Sequence, residues 1–458
     1  MVFSIIQKSQ LEGAKRLDAE YYQPEYLNIE AVLNNSIVEK IVELTDFVKK
    51  GIFDLSPNNY SQQGIPFVRV QNIKNGFLDE ANLSFIPEDI HDKEKKTELR
   101  PFDIVMSKVG SVGDISIIPS HFPKANFSQN VIGLKIKENK IPKGFLALFL
   151  LSKFGQMQIE RANMQQVQAK LELKDIRDLL IIRMAQKTEE YFHQEFLKIG
   201  ELFENSKFHY SQAENLLLGE LGLRDWILDQ VGNDISWTEN LSKVEKEHRM
   251  DAEYFQPKYE KLISKIKNRN AKLLGDLASM KKGVEPGSEK YEEAGKLFLR
   301  VSNVSKIGLV DGNQKYISSD LYGKLKKEYE PKVGEILLTK DATPGVAYVL
   351  KESVEGIIAG GILRLKLKDE IQSEYLALCI NSIAGQMQVE RDAGGSVIVH
   401  WKPEQIKNLL IPILSKPIQQ KIADLVRQSH DACKKAKELL EEAKRKVEMM
   451  IDIEKTTP

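Results

Sequence analysis

The sequence predicts an α+β chain built as an internal repeat. It reads as two similar mixed α/β globular domains joined by two long antiparallel coiled-coil helices, with a pseudo-two-fold relation between the halves. Three observations predict this. Arg16-Leu17-Asp18-Ala19-Glu20-Tyr21-Tyr22-Gln23-Pro24 returns as Arg249-Met250-Asp251-Ala252-Glu253-Tyr254-Phe255-Gln256-Pro257. Gly155-Gln156-Met157-Gln158-Ile159-Glu160-Arg161 returns as Gly385-Gln386-Met387-Gln388-Val389-Glu390-Arg391, and self-similarity at a fixed period marks a repeat architecture. Each half then closes on a long apolar ladder.

In order, an amphipathic helix is expected from Pro24 to Leu33, then a turn-rich segment from Asp54 to Gly64 around Ser56-Pro57-Asn58-Asn59. Pro66 to Val70 alternates as a strand does, and Asn75-Gly76 is a strong turn signal. Asp103 to Lys108 is a strand running into Gly110-Ser111-Val112-Gly113; Ile115–Ile118 and Val131–Ile136 are two more. A helix is expected from Phe145 to Arg161, packed by Leu146, Phe149, Leu150, Phe154 and Met157. The second half repeats the order: Leu297 to Val301, a turn at Val310-Asp311-Gly312-Asn313, Glu335 to Lys340 into Pro344-Gly345, Ile362 to Leu367, and a helix from Glu374 to Arg391.

The ladders step by four and three. The first runs Phe192, Phe196, Ile199, Phe203, Ser206, Tyr210, Ala213, Leu217; the second Ile418, Ile422, Leu425, Ser429, Ala432, Ala436, Leu439, Ala443. Heptads with charges outside the seam predict coiled-coil helices, and a bulky seam facing a small-rich one suits pairing between unlike helices. About 35 residues at ~1.5 Å each make a rod of ~50 Å. Expected boundaries are 1–184 and 223–413 for the globular domains and 185–222 and 414–458 for the helices.

Length alone suggests roughly three domains of about 150 residues; the repeat replaces that with two halves. With 42% hydrophobic and 29% charged residues, sizeable cores can be buried. Cys379 and Cys433 are too few for a disulfide framework or a structural zinc site, so a reducing cytoplasm is expected. The opening residues are too polar for a signal peptide, and no apolar run approaches the ~20 residues of a membrane span. The 66 basic and 66 acidic residues balance, which argues against a bulk-electrostatic grip on nucleic acid but leaves local patches open.

Enzyme signatures are mostly missing. No Gly-x-Gly-x-x-Gly opens a helix, Gly283 to Lys290 lacks the Gly-Lys-Ser/Thr ending of a P-loop, and no Asn/Asp-Pro-Pro-Tyr/Phe tetrapeptide occurs. The histidines show no metal-ligand spacing, so neither metal nor cofactor is expected. Asp103 before Lys108, and Glu335 before Lys340, loosely match a nuclease carboxylate–lysine pair, the one foothold for catalysis.

Recognition fits better. Arg69, Gln71, Asn72 and Lys74 gather after one strand, and Arg300, Ser302, Asn303 and Lys306 after its counterpart. Arg, Asn and Gln match guanine and adenine edges, and Lys and Ser suit phosphates. Ser107-Lys108 and Thr339-Lys340 lie beside a glycine turn, where backbone can approach closely. Gln166, Gln168 and Lys170 occupy one loop, and His400 and Lys402 the equivalent, wholly different one. A framework kept while its polar loops diverge is what two readers of different sequences need. Ordinary solvated loops are the plain alternative.

With both Arg-(Leu/Met)-Asp-Ala-Glu-Tyr motifs, both Gln-Met-Gln-(Ile/Val)-Glu-Arg helices and both ladders in place, the chain resembles the specificity (S) subunit of a type I restriction–modification system over essentially its whole length. Asp103 to Gly113 resembles the family's strand–glycine-turn segment closely. Glu335 to Gly345 resembles it less, with Asp341-Ala342-Thr343-Pro344-Gly345 in place of the glycine pair. The resemblance implies two target-recognition domains, each reading half of a bipartite sequence in double-stranded DNA, with the paired helices as a ruler for the spacer. It further implies docking of two methyltransferase (modification) subunits, which flip and methylate adenines, and, through them, of ATP-dependent restriction subunits. The chain itself is then non-catalytic. A nuclease or methyltransferase, and a coiled-coil scaffold without DNA, stand as the competing classes.

Overall fold

A computed structural model of the chain describes residues 4–9, 11, 16–61, 63–74, 76–80, 83–164, 171–224, 238–310, 314–368, 370–393 and 400–454. Two compact units emerge: Met1–Glu201 with Ala436–Pro458, and Leu202–Lys435. Each unit holds one globular half together with a stretch of each long helix.

The first unit opens with α1 (Pro24–Asn34), whose proline sits at the first helical position, where the missing N–H has no intrahelical partner to lose. Then come β1 (Val38–Lys40), β2 (Thr45–Lys50), β3 (Ile65–Val68), β4 (Gly76–Phe77), β5 (Ser84–Ile86), α2 (Glu88–Lys93), β6 (Ile104–Ser107), β7 (Ile115–Ile117), β8 (Asn126–Phe127) and β9 (Val131–Ile136). One sheet has the order β2-β9-β6-β7-β4 and a second β5-β3-β8. β6 is buried along its whole length and β9 nearly so, which accounts for their continuous apolar runs. Gly133 in β9 lets Phe127 lie across the sheet: a Cβ there would sit 2.3 Å from the ring. α3 (Lys143–Leu151), α4 (Lys153–Asn163) and β10 (Leu180–Ile182, paired with β1) complete the half before the long helix α5 (Gln186–Leu221).

The second unit repeats the plan: α6 (Pro257–Lys267), β11 (Lys272–Leu273), β12 (Ala278–Lys282), β13 (Lys296–Leu299), β14 (Val304–Ser305), β15 (Gly308–Leu309), β16 (Lys315–Ile317), α7 (Ser319–Tyr329), β17 (Ile336–Thr339), β18 (Ala347–Val349), β19 (Gly356–Ile358), β20 (Ile362–Leu367), α8 (Ser373–Asn381), α9 (Ile383–Ala393), β21 (Leu410–Ile411) and the long helix α10 (Lys416–Glu454). Its sheets run β12-β20-β17-β18 and β16-β13-β19, with β11 pairing β21 and β14 pairing β15. The order matches the first unit strand for strand, apart from the β14–β15 hairpin. The turn expected at Val310–Asn313 lies mostly outside the described residues, as does Asn75 of the first.

One expectation fails in both halves. The helix predicted from Phe145 to Arg161 is two helices, broken at Ser152, and the one from Glu374 to Arg391 breaks at Ser382. Each serine is extended, and its hydroxyl donates to the carbonyl three residues back, Phe149 or Cys379. The second helix folds tightly onto the first, because a Cβ at Gly155 would lie 2.4 Å from Leu150 Cα and one at Gly385 2.3 Å from Ile380 O. Apolar spacing runs straight through both serines and hides the break.

The repeated glutamines explain their own repetition. Gln158 Nε2 donates to Leu180 O, and its Oε1 accepts from Leu180 N, each at 2.9 Å. Gln388 makes the same two bonds to Leu410, at 3.0 Å each. One side chain thereby completes the backbone hydrogen bonding of a strand. The two repeated motifs also meet inside each unit. Tyr21 lies between the guanidinium groups of Arg16 and Arg161, 4.2 and 3.9 Å from its ring centre, and Tyr254 lies against Arg249 and Arg391 at 4.5 and 5.2 Å.

In α5 the expected ladder is buried except for half-buried Phe203. In α10 the ladder needs correcting. Ile422, Ser429, Ala436 and Ala443 are buried, but Val426, Cys433 and Leu440 replace Leu425, Ala432 and Leu439 between them. The globular halves cover that flank of the helix: Leu440 packs against Gly76, and His430 against Tyr348. The seam is wider than a two-helix contact. Within the second unit the small seam residues face each other, with Ser206 Oγ 3.2 Å from Ser429 Oγ.

Candidate nucleic-acid interface

In each unit the same strand end builds the site. β3 gives way to Arg69 and β13 to Arg300, each of which caps a single 3₁₀ turn, Val70–Asn72 or Val301–Asn303. Asn72 Oδ1 accepts from Arg69 N at 3.0 Å and Asn72 Nδ2 donates to Asp79 O at 3.1 Å. Asn303 does the same with Arg300 N and Val310 O, at 3.0 and 3.3 Å. Both asparagines are buried, so their amides hold the turn that sets each arginine. Arg69 and Arg300 are half-buried, and Arg69 lies over Tyr60 with its guanidinium carbon 5.4 Å from the ring centre. Tyr60 packs on Phe67 and Tyr291 on Phe298, at the same positions of the two units.

Gln71, Lys74, Ser302 and Lys306 are exposed on these turns. Lys306 is turned to the long helices, with its ammonium 5.0 Å from the Tyr210 ring centre and its carbonyl accepting from His430 Nε2 at 3.1 Å. Lys74 stands near Asp114, whose carboxyl burial pushes above the usual range.

Beside them lies the glycine turn. Ser107, Lys108, Thr339 and Lys340 are all buried. Thr339 Oγ1 donates to Thr343 O at 2.6 Å and accepts from Val346 N at 2.9 Å, which ties the turn to its strand. Gly110 and Gly113 have φ of +76° and +90°. In the second unit Ala342 and Gly345 take their places, at +59° and +87°. The departure from the glycine pair thus leaves the backbone path unchanged, with an alanine held left-handed at a cost of roughly 1–2 kcal/mol. It does put a methyl group on the exposed face.

The units differ most one residue earlier. Val109 of the first is Asp341 in the second, where Lys340 Nζ lies at 2.6 Å from Oδ2 and His400 Nδ1 at 2.8 Å from Oδ1. Burial alone would raise the Asp341 carboxyl, but the bonds from His400 and Lys340 hold it below the ordinary range. The sequence comparison could have flagged Asp341, since it stands where the other copy has valine. His400 and Lys402 are exposed and flank Trp401, whose side chain is buried. Gln166, Gln168 and Lys170 lie outside the described residues, as do residues 395–399.

The carboxylates that loosely matched a nuclease pair are tied elsewhere. Asp103 accepts from Lys143 Nζ at 2.7 Å, Arg100 N at 2.8 Å and Ile136 N at 3.2 Å. Glu335 accepts from Arg364 Nη2 at 3.1 Å and Lys332 N at 2.8 Å. Both carboxylates are buried turn-holders. Among the described residues Glu88, His91 and Asp92 gather closely enough for a metal, but both ring nitrogens of His91 already face acceptors, Asn126 Oδ1 and Glu98 Oε2. No described helix is long and apolar enough to cross a membrane.

The family model for the type I restriction modification DNA specificity domain matches residues 12–182 and 267–445. The type I restriction enzyme EcoBI specificity subunit of Escherichia coli is 25% identical over 232 residues, covering 50% of this chain and 46% of that protein. The chain thus spans about half the length of that curated relative. Among solved structures, a type I restriction–modification S subunit from M. genitalium matches with 15% identity and a TM-score of 0.37, over 91% of this chain and 96% of that one. An HsdS subunit from Thermoanaerobacter tengcongensis matches with 14% identity and a TM-score of 0.27, over 91% and 95%. With the family model covering both globular halves, the chain belongs to the type I restriction–modification DNA specificity family and carries its domain twice.

Proposed function

We propose that this chain is the non-catalytic, sequence-specific DNA-binding subunit of a type I restriction–modification complex in the cytoplasm. Each unit reads one half of a bipartite target in double-stranded DNA, and the chain directs methyltransferase and restriction subunits to it. One observation carries this reading: a single framework occurs twice, down to its glutamine and asparagine bonds, while the exposed side chains on it differ. Exposed Gln71 stands against exposed Ser302 and exposed Lys74 against half-buried Ser305, and at the glycine turn half-buried Val109 stands against Asp341 with its partner His400. Boundaries near 1–184 and 223–413 delimit the two recognition domains.

Modification-sensitive sequencing of host DNA, with and without the gene, tests it. A bipartite methylated-adenine motif should vanish on deletion; a methylation pattern unchanged by deletion, in cells producing active partner subunits, would sink the proposal. Arg69→Ala should cost about 1–3 kcal/mol of binding and relax one half-site only, with Arg300→Ala relaxing the other. Electrophoretic titration against targets altered in one half-site at a time separates the two.

The long helices are proposed as the ruler for the spacer between half-sites. At ~1.5 Å per residue, one added heptad lengthens a rod by ~10 Å, about three base pairs of B-form DNA. Matched heptads inserted in α5 and α10 should therefore yield a longer spacer in the sequenced motif. An active complex with its spacer unchanged would remove the ruler.

A further inference from the structure

The motif that opens each half keeps seven of its nine residues unchanged. Most of them serve the fold of their own unit. Arg16 Nε pairs with Asp18 Oδ1 at 2.7 Å, and Arg249 with Asp251 at 2.8 and 2.5 Å. The arginines stack on Tyr21 and Tyr254, Tyr22 and Phe255 are buried, and Gln23-Pro24 and Gln256-Pro257 start α1 and α6. The same cannot be said of Leu17/Met250, Ala19/Ala252 and Glu20/Glu253.

Leu17 is 88% exposed and Met250 91%. A single exposed apolar residue is unremarkable on a protein surface, but here a flexible apolar residue stands exposed at the same position of both copies. Local geometry is the same in both copies. Asp18 and Asp251 are extended, with φ/ψ of −75°/127° and −76°/126°. Along extended backbone, neighbouring side chains point to opposite sides. The Arg16–Asp18 and Arg249–Asp251 pairs close over the residue between them, which stays outside both clamps. Glu20 and Glu253 are exposed beside it and carry the same charge in both units.

We propose that Leu17 and Met250 are two equivalent docking knobs, each taken by one copy of the same partner, the methyltransferase subunit. This rests on the proposed function for the partner's identity; the residues come from the repeat. Two copies of one motif, held in one geometry, fit two copies of one partner surface: an apolar pocket with a basic rim facing Glu20 or Glu253.

The test is native mass spectrometry of the complex of the full chain with its methyltransferase subunit, backed by titration of each binding step. Wild-type chain should carry two methyltransferase subunits. Leu17→Asp should weaken one step at least tenfold and leave a one-to-one complex, Met250→Asp the other, and the double variant both. Leu17→Met and Met250→Leu should keep two copies, and unchanged thermal melting of the aspartate variants should confirm that folding is intact. A folded double variant that binds two copies within twofold of wild-type affinity overturns the docking role. A wild-type chain that binds no methyltransferase subunit overturns the recruitment reading itself and the docking role with it.

Discussion

Asp103→Ala should destabilise the first unit by about 3–5 kcal/mol, the usual consequence of leaving a buried ion's partner alone. The carboxylate is fully buried and is the common acceptor of Lys143 Nζ and two backbone N–H groups. Its removal leaves two backbone N–H groups without their acceptor and Lys143 Nζ with Pro101 O alone, so water must reach them or the fold must repack around them. Chemical denaturation should show the loss, and Asp103→Asn should recover part of it by keeping an oxygen toward the backbone donors. The same variant separates structure from chemistry. At a temperature where Asp103→Ala is still folded, the assembled complex should methylate its target as the wild type does. Complete loss of modification by a folded, assembled complex would restore the nuclease-like reading of Asp103 and Lys108.

A second large effect concerns pH and the second unit. His430, buried on α10, donates from Nε2 to Lys306 O, and Nδ1 has no hydrogen-bond partner among the described residues. Burial pushes its pKa down to about 4, against the ordinary 6.5, with the Lys306 carbonyl opposing. The unfolded chain therefore takes up the proton first as pH falls. Stability present above about pH 6.5 is lost progressively toward pH 4, and the shift corresponds to about 3 kcal/mol from this one group. His430→Gln keeps an N–H donor but does not titrate. Urea unfolding of both proteins between pH 7.5 and 4.5 should give stabilities that converge as the pH drops, the wild type falling faster. Parallel curves would mean that His430 is solvated in the native state.

The repeat was legible because it is a statement about the sequence itself, and the strands of both halves followed from alternation and turn residues. The α5 ladder was legible too, since bulky seam residues leave little choice of face. In α10 the small residues 432, 433 and 436 fit either of two adjacent faces, and the packing of Leu440 and His430 on the globular halves decided between them. Asn72 and Asn303 look like base-reading amides in sequence, yet their bonds go to backbone. No local pattern announces such bonds. Asp103 carries the same lesson: its partner Lys143 lies 40 residues away, so its charge looked available when it was spent on closing a turn.

The double bonds from Gln158 to Leu180 and from Gln388 to Leu410 have a consequence for how such a chain can change. Each staples a helix to the short strand that follows it, Leu180–Ile182 or Leu410–Ile411, so the chain is anchored on either side of the residues between them. Gln158 and Gln388 are therefore the residues that any exchange of the segments between those anchors must leave alone.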